Sequence, residues 1–123
     1  MPQESGNVNN LREAIVPIRF AEGYRLDCIV DTGFDGALIV PASVADSLHL
    51  TPVGRLVFEL VGGARMAADV ALAEIDWLGQ RRFVETILSV SDDALIGTEM
   101  FESGKLTIDY ASRIVSISQD EES

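Results

Sequence analysis

Asp31, Thr32 and Gly33 stand where two apolar runs meet, Cys28-Ile29-Val30 before them and Ala37-Leu38-Ile39-Val40 after. Each run has the length and composition of a buried strand, so rigid chain delivers a carboxylate to a turn. An acid in such a place is costly unless it has a task. The task these residue types suit is acid-base hydrolysis: Asp31 acts on a water, the Thr32 hydroxyl fixes the loop, and Gly33 allows a close backbone approach or a positive φ. One carboxylate is not enough. Peptide hydrolysis without a metal or a covalent nucleophile needs a base for water and an acid for the substrate, roles that two close carboxylates sharing one proton fill because both cannot ionise together. The chain holds a single such motif, so a second chain must bring the partner.

Other combinations fit the residues less well. The run from Asp31 to Asp35 echoes a calcium loop, but the third position is Gly33 and the twelfth is Ala42, where that loop needs oxygen ligands. An aspartyl-nucleophile phosphatase loop would need a second acid two residues on and alternating strands and helices, and neither is present. His49 is the only histidine, so no metal site or catalytic triad can be built around a histidine pair, and it reads as a surface residue. The single Cys28 cannot form an internal disulfide and reads as a buried, inert thiol. No metal and no cofactor are expected.

The remaining composition narrows the partners. A chain of 123 residues with 47% hydrophobic content is one globular domain by length and composition. Its 9 Lys+Arg against 20 Asp+Glu give a net charge of -11, which repels nucleic acid and anionic membranes. No apolar run approaches the roughly 18 residues of a membrane span, and the first residues lack the basic and apolar regions of a signal peptide. The expected setting is cytoplasmic.

Around the Asp31 turn the elements are short. Residues 1–13 are polar and without periodicity, and are expected to be a flexible arm, with a domain over 14–118 and an acidic tail over 119–123. Strands are expected over Ala14 to Phe20, Tyr24 to Val30, Ala37 to Val40, Arg55 to Leu60, Ala64 to Asp76, Arg81 to Val90, Lys105 to Asp109 and Arg113 to Ser118. Pro17 suggests an edge or a bend in the first of them. Pro41 to Leu48 has the Pro start and apolar step of a short helix, and Thr98 to Glu102 the composition of another turn or two, with Thr98 as its N-cap. Trp77, Phe58 and Phe83 are expected in the core or an interface. Many short strands with two brief helices predict an all-β, barrel-like domain.

The sequence resembles the retropepsin family, the single-domain aspartic proteases that include the retroviral enzymes. Asp31-Thr32-Gly33 is followed by Leu95-Ile96-Gly97, similar to the family's strand-to-helix signature, and by Leu106-Thr107-Ile108-Asp109-Tyr110, similar to its next strand. Leu60-Val61-Gly62-Gly63-Ala64 falls where the family has its glycine-rich flap. The resemblance implies an acid-protease barrel that homodimerises, with Asp31 of each subunit forming the dyad of an aspartic endopeptidase acting on peptide or protein. It implies that Thr32 bonds across the dimer and that the Gly33 carbonyl meets substrate. Phe34, Asp35 and the flap residues Val61, Gly62, Gly63 and Ala64 would line the substrate cleft.

Two departures stand out. Phe34 replaces the small residue of active relatives, so the ring would narrow the cleft or enter the dimer contact. It also brings no hydroxyl to Asp31, which moves the expected rate optimum nearer neutral pH. Thr98 and Glu99 stand where the family carries an Arg that pairs with the acid beyond the active loop, so Asp35 is expected to lack that partner. A dimer that binds peptide without efficient cleavage is the alternative.

Overall fold

A computed structural model describes residues 2–59 and 62–119. Its ten strands are β1 (Gln3–Val8), β2 (Ala14–Phe20), β3 (Arg25–Val30), β4 (Leu38–Pro41), β5 (Pro52–Glu59), β6 (Arg65–Trp77), β7 (Gln80–Ser89), β8 (Leu95–Ile96), β9 (Gly104–Asp109) and β10 (Ile114–Gln119). They form one sheet in the order β5-β6-β7-β4-β8-β3-β2-β1-β10-β9. A further pairing of β6 with β2, at Arg19 with Asp76 and Phe20 with Ile75, joins the sheet back on itself. The strands from β6 to β2 therefore close into a ring, the β5–β6 hairpin projects from it, and β1, β10 and β9 extend it on the other side.

Period-two alternation builds the core. Ala14, Val16, Ile18 and Phe20 of β2 are buried, and Ala71, Ala73, Ile75 and Trp77 of β6 join them in one core. The indole N–H of Trp77 donates to the Met100 carbonyl at 3.1 Å, so this large ring is buried with its polar atom satisfied. Phe58 and Phe83, expected in the core or an interface, lie outside the core. Phe83 alternates in β7 with Val84, Thr86 and Leu88, which are buried, so the pleat that buries them turns it outward, whereas all of β5, Phe58 included, is exposed.

Three other expectations change. Residues 3–8 are no flexible arm: β1 pairs antiparallel with β10 from Gln3↔Ser118 to Asn7↔Ile114 and with β2 at Asn7↔Ile15 and Val8↔Ala14. The pattern was hidden because the inward residues of β1 are Glu4, Gly6 and Val8, only one of them a large apolar side chain. Gly6 is required there, since a Cβ would run into the Ile15 backbone. Pro17 lies inside the sheet, paired with Asp27. It falls between the β1 pairing, which stops at Ile15, and the β6 pairing, which starts at Arg19, so its missing N–H leaves no ladder bond unmade. The short helix expected from Pro41 to Leu48 contracts to a 3₁₀ turn over Ala42–Val44 and a few tight turns that bury Ala45, Leu48 and Leu50. The acidic tail from residue 120 onward lies outside the described residues, and Gln119 belongs to β10.

Candidate active site

The two signature stretches are brought together by β8. Its two residues pair parallel with β3, Ile29↔Leu95 and Val30↔Ile96, and antiparallel with β4, Leu38↔Ile96 and Ile39↔Leu95. The loop between β3 and β4 therefore leaves one neighbour of β8 and returns on the other. The Asp31 N–H donates to the Ile96 carbonyl at 2.9 Å and the Gly97 N–H to the Ala37 carbonyl at 2.8 Å, which pins both ends of the loop to the end of β8.

Asp31 is half-buried, and Thr32 and Gly33 are exposed beside it. The Gly33 N–H donates to Asp31 Oδ1 at 2.9 Å, and the Phe34 N–H to the Asp31 carbonyl at 3.1 Å. The first of these bonds aims the carboxylate and the second closes the turn. Gly33 has no positive φ; its role is proximity, because a Cβ there would stand 3.3 Å from Asp31 Oδ1.

Phe34 neither crosses the loop nor projects freely. Its ring lies on Gly36 and Gly97, where a Cβ on Gly36 would meet the ring at 2.7 Å and a Cβ on Gly97 would meet both the ring and the Gly36 carbonyl. Both glycines are needed to seat that ring. The turn after Gly97, a 3₁₀ turn over Thr98–Phe101, is capped by Gly97 without a side-chain bond, so Thr98 is not its N-cap. Thr98 faces the Asp31 loop instead: its N–H donates to the Phe34 carbonyl at 2.8 Å and its hydroxyl to the same oxygen at 3.3 Å. The Glu99 N–H reaches the Gly36 carbonyl at 3.2 Å. Backbone and hydroxyl bonds thus tie this turn to the loop where an Arg–Asp ion pair was the alternative. Asp35 is exposed and makes no salt bridge among the described residues.

Next to this loop lies an apolar groove of about 340 Å³. Phe34 and Asp35 form one side, Leu56 and Phe58 of β5 with Met66 of β6 form another, and Ile87 stands between them. Phe34 and Asp35, expected with the flap tip along a substrate cleft, line this groove, while its β5 and β6 walls were not singled out from the sequence. The tip is a turn with Gly62 and Gly63 at φ 97° and 88°, a conformation that favours glycine, and Ala64 is exposed after them. Val61 lies outside the described residues. None of Gly62, Gly63 and Ala64 lines the groove; the arms of the hairpin do. The available signal was the even-position alternation of Leu56 and Phe58 in β5, opposite Ala68 and Met66 of β6.

Cys28 is fully buried under the loop, and burial, with Asp27 adding to it, pushes its thiol up to about 12. It is a core residue and no nucleophile at neutral pH. His49 is exposed, 3.3 Å from Glu22. Among the described residues no three His, Cys, Asp or Glu side chains come together as a metal site would need, and no helix is long and apolar enough to cross a membrane.

Comparison with known proteins places this geometry. No protein-family model matches the chain. An uncharacterized protein of Archaeoglobus fulgidus is 29% identical over 115 residues, 88% of each chain. Among solved structures, a retropepsin-like aspartic protease from Rickettsia conorii superposes with a TM-score of 0.66 at 14% identity, over 95% of this chain and 90% of that one. The protease of simian foamy virus superposes with a TM-score of 0.54 at 16% identity, over 72% of this chain and 91% of that one. The fold is retropepsin-like.

Proposed function

We propose that the chain is one half of an aspartic endopeptidase, active as a homodimer in which Asp31 of each protomer contributes to a shared, singly protonated dyad. The observation that carries this reading is the placement of Asp31: a half-buried carboxylate at the end of β3, aimed by the Gly33 N–H and fixed through β8. The retropepsin-like fold supports it. In the reaction the ionised carboxylate takes a proton from water as the water oxygen attacks the peptide carbonyl carbon. The protonated one donates to the carbonyl oxygen, giving a neutral gem-diol. Collapse of that intermediate breaks the C–N bond as the protonated carboxyl gives its proton to the leaving nitrogen and the ionised carboxylate takes one gem-diol hydroxyl proton, which restores the singly protonated dyad. The reaction calls for no cofactor. Thr32, exposed at the loop, would bond across the twofold axis, and the Gly33 carbonyl would meet the substrate backbone. The tip around Gly62 and Gly63 would close over an extended peptide.

A second reading, a dimeric peptide-binding module without efficient turnover, draws on Phe34, whose ring fills the space over Gly36 and Gly97. Substitution of Asp31 by Asn separates the two. Under the enzyme reading, hydrolysis of a peptide library falls by at least about 10²-fold, the usual worth of a positioned acid-base group, and the wild-type rate is bell-shaped in pH. Absence of cleavage by a demonstrably dimeric wild type between about pH 3 and pH 8, a window spanning the titration of known carboxylate dyads, would sink it. Peptide binding that survives Asp31→Asn with no wild-type turnover is the outcome of the second reading.

A further inference from the structure

The groove beside the Asp31 loop has one charged residue among its described lining, Asp35. The rest of the wall is apolar apart from Ser89, with Phe34, Leu56, Phe58, Met66 and Ile87 supplying most of it. A cavity of about 340 Å³ is at the small end of ligand sites, enough for one or two side chains and not for a folded partner. Asp35 is exposed and makes no salt bridge among the described residues, and Thr98 and Glu99 tie the loop through hydrogen bonds. Glu99, also exposed, is bonded through its backbone to Gly36 and brings no cation to the loop. The chain's net charge of -11 acts in the same direction.

We infer that this groove selects peptides in which a large apolar side chain is next to a lysine or arginine, the apolar group entering between Phe34 and the β5–β6 arms and the cation facing Asp35. The inference rests on the peptide-binding part of the proposed function and names its substrate class. An acidic neighbour at the same position would meet Asp35 with like charge and no counterion, which rejects it by repulsion as well as by lost attraction.

The test uses the full chain and fluorescent peptides that differ only in a Leu-Lys, Leu-Gln or Leu-Glu pair. Affinity is read by anisotropy on Asp31→Asn, so that no cleavage intervenes, and kcat/KM on the wild type. The Lys peptide is expected to bind roughly five- to tenfold more tightly than the Glu peptide, the scale of an exposed pair turned from attraction to repulsion. Asp35→Asn should cut the ratio to the smaller preference that the net charge alone leaves, and Asp35→Lys should cut it further. Equal binding of the Lys and Glu peptides, binding of neither, or a preference undiminished by Asp35→Asn would overturn the inference. Circular dichroism of the Asp35 variants guards against misfolding, and a variant that fails to fold is replaced by screening the wild-type ratio with salt, which should shrink it. A charge preference in binding without any wild-type cleavage leaves this inference standing and removes the hydrolase reading; cleavage without charge preference does the reverse.

Discussion

Gly33, Gly97 and Cys28 are each fixed by a different demand. Gly33 lets an N–H reach Asp31 Oδ1 at 2.9 Å, Gly97 makes room for the Phe34 ring and the Gly36 carbonyl, and Cys28 fills the core from β3. The last role has a measurable signature in pH. Because burial raises the Cys28 thiol from 9.0 to about 12, the folded state favours the protonated form more than the unfolded state does. Its contribution to stability is therefore complete below about pH 9 and declines as pH rises toward 12, where the unfolded chain ionises first. Urea unfolding at stepped alkaline pH should show Cys28→Ala less stable than wild type near neutrality, by about 1 kcal/mol for a small buried truncation, with the gap narrowing above pH 9. Parallel curves would mean that the thiol is not desolvated. Of this residue-scale picture the sequence showed Asp31, Gly97 and the inert thiol, since their meaning lies in local spacing. It did not show that Phe34 sits on Gly97 or that Thr98 bonds to the Phe34 carbonyl, because both contacts join residues more than sixty positions apart.

At the scale of elements, β1 was the least legible part of the chain and is held by an interaction that no hydrophobic pattern announces. Glu4 is 4% exposed, accepts from Arg19 Nη1 and Nη2 at 3.1 and 3.0 Å, and also accepts from the Leu78 N–H at 2.8 Å. One carboxylate thereby joins β1 to β2 and to the turn between β6 and β7. The Arg19 guanidinium is raised in pKa by its hydrogen bonds to Glu4, against a smaller opposing effect of burial. Arg19 remains 45% exposed, so most of the cost of breaking the pair is the loss of bonds to a buried charge and not a stranded cation. Glu4→Gln keeps the shape and removes the charge; it should lower stability by about 1–3 kcal/mol. Amide hydrogen exchange offers the sharper reading, because β1 would open before the ring does. Faster exchange confined to Gln3–Val8 and its partners in β10 is expected, and uniform acceleration across β2, β3 and β6 would show that Glu4 stabilises the whole fold and not this strand. The strands that carry plain alternation, β2 and β10, were readable for the converse reason: their inward faces are apolar at every second position. In β6 both faces carry apolar residues, so its existence was readable but its inward set, Ala71, Ala73, Ile75 and Trp77 with Leu72 turned out, was not.

The whole molecule combines a closed ring that fixes Asp31 with an open hairpin whose inner face is left apolar and uncovered. That combination suits a site completed from outside, by substrate over the groove and by a second carboxylate at the loop. If the second carboxylate comes from another copy, activity belongs to a pair of chains, and mixing experiments reveal it without any structure of the complex. Wild type and Asp31→Asn, mixed in equal amounts and allowed to exchange at fixed total concentration, form about one quarter wild-type pairs under random association. Hydrolysis should then fall to about a quarter of the unmixed wild-type rate, whereas independent sites would leave about half, as simple dilution of active chains requires. Two chains of charge -11 also repel, so the active fraction at low protein concentration should rise as salt screens that repulsion, until the dimer saturates. Sedimentation under the assay conditions fixes which regime applies. A rate that tracks the wild-type fraction linearly while the protein sediments as a freely exchanging dimer would place both catalytic carboxylates within one chain, and the reading of Asp31 as half of a shared dyad would have to be abandoned.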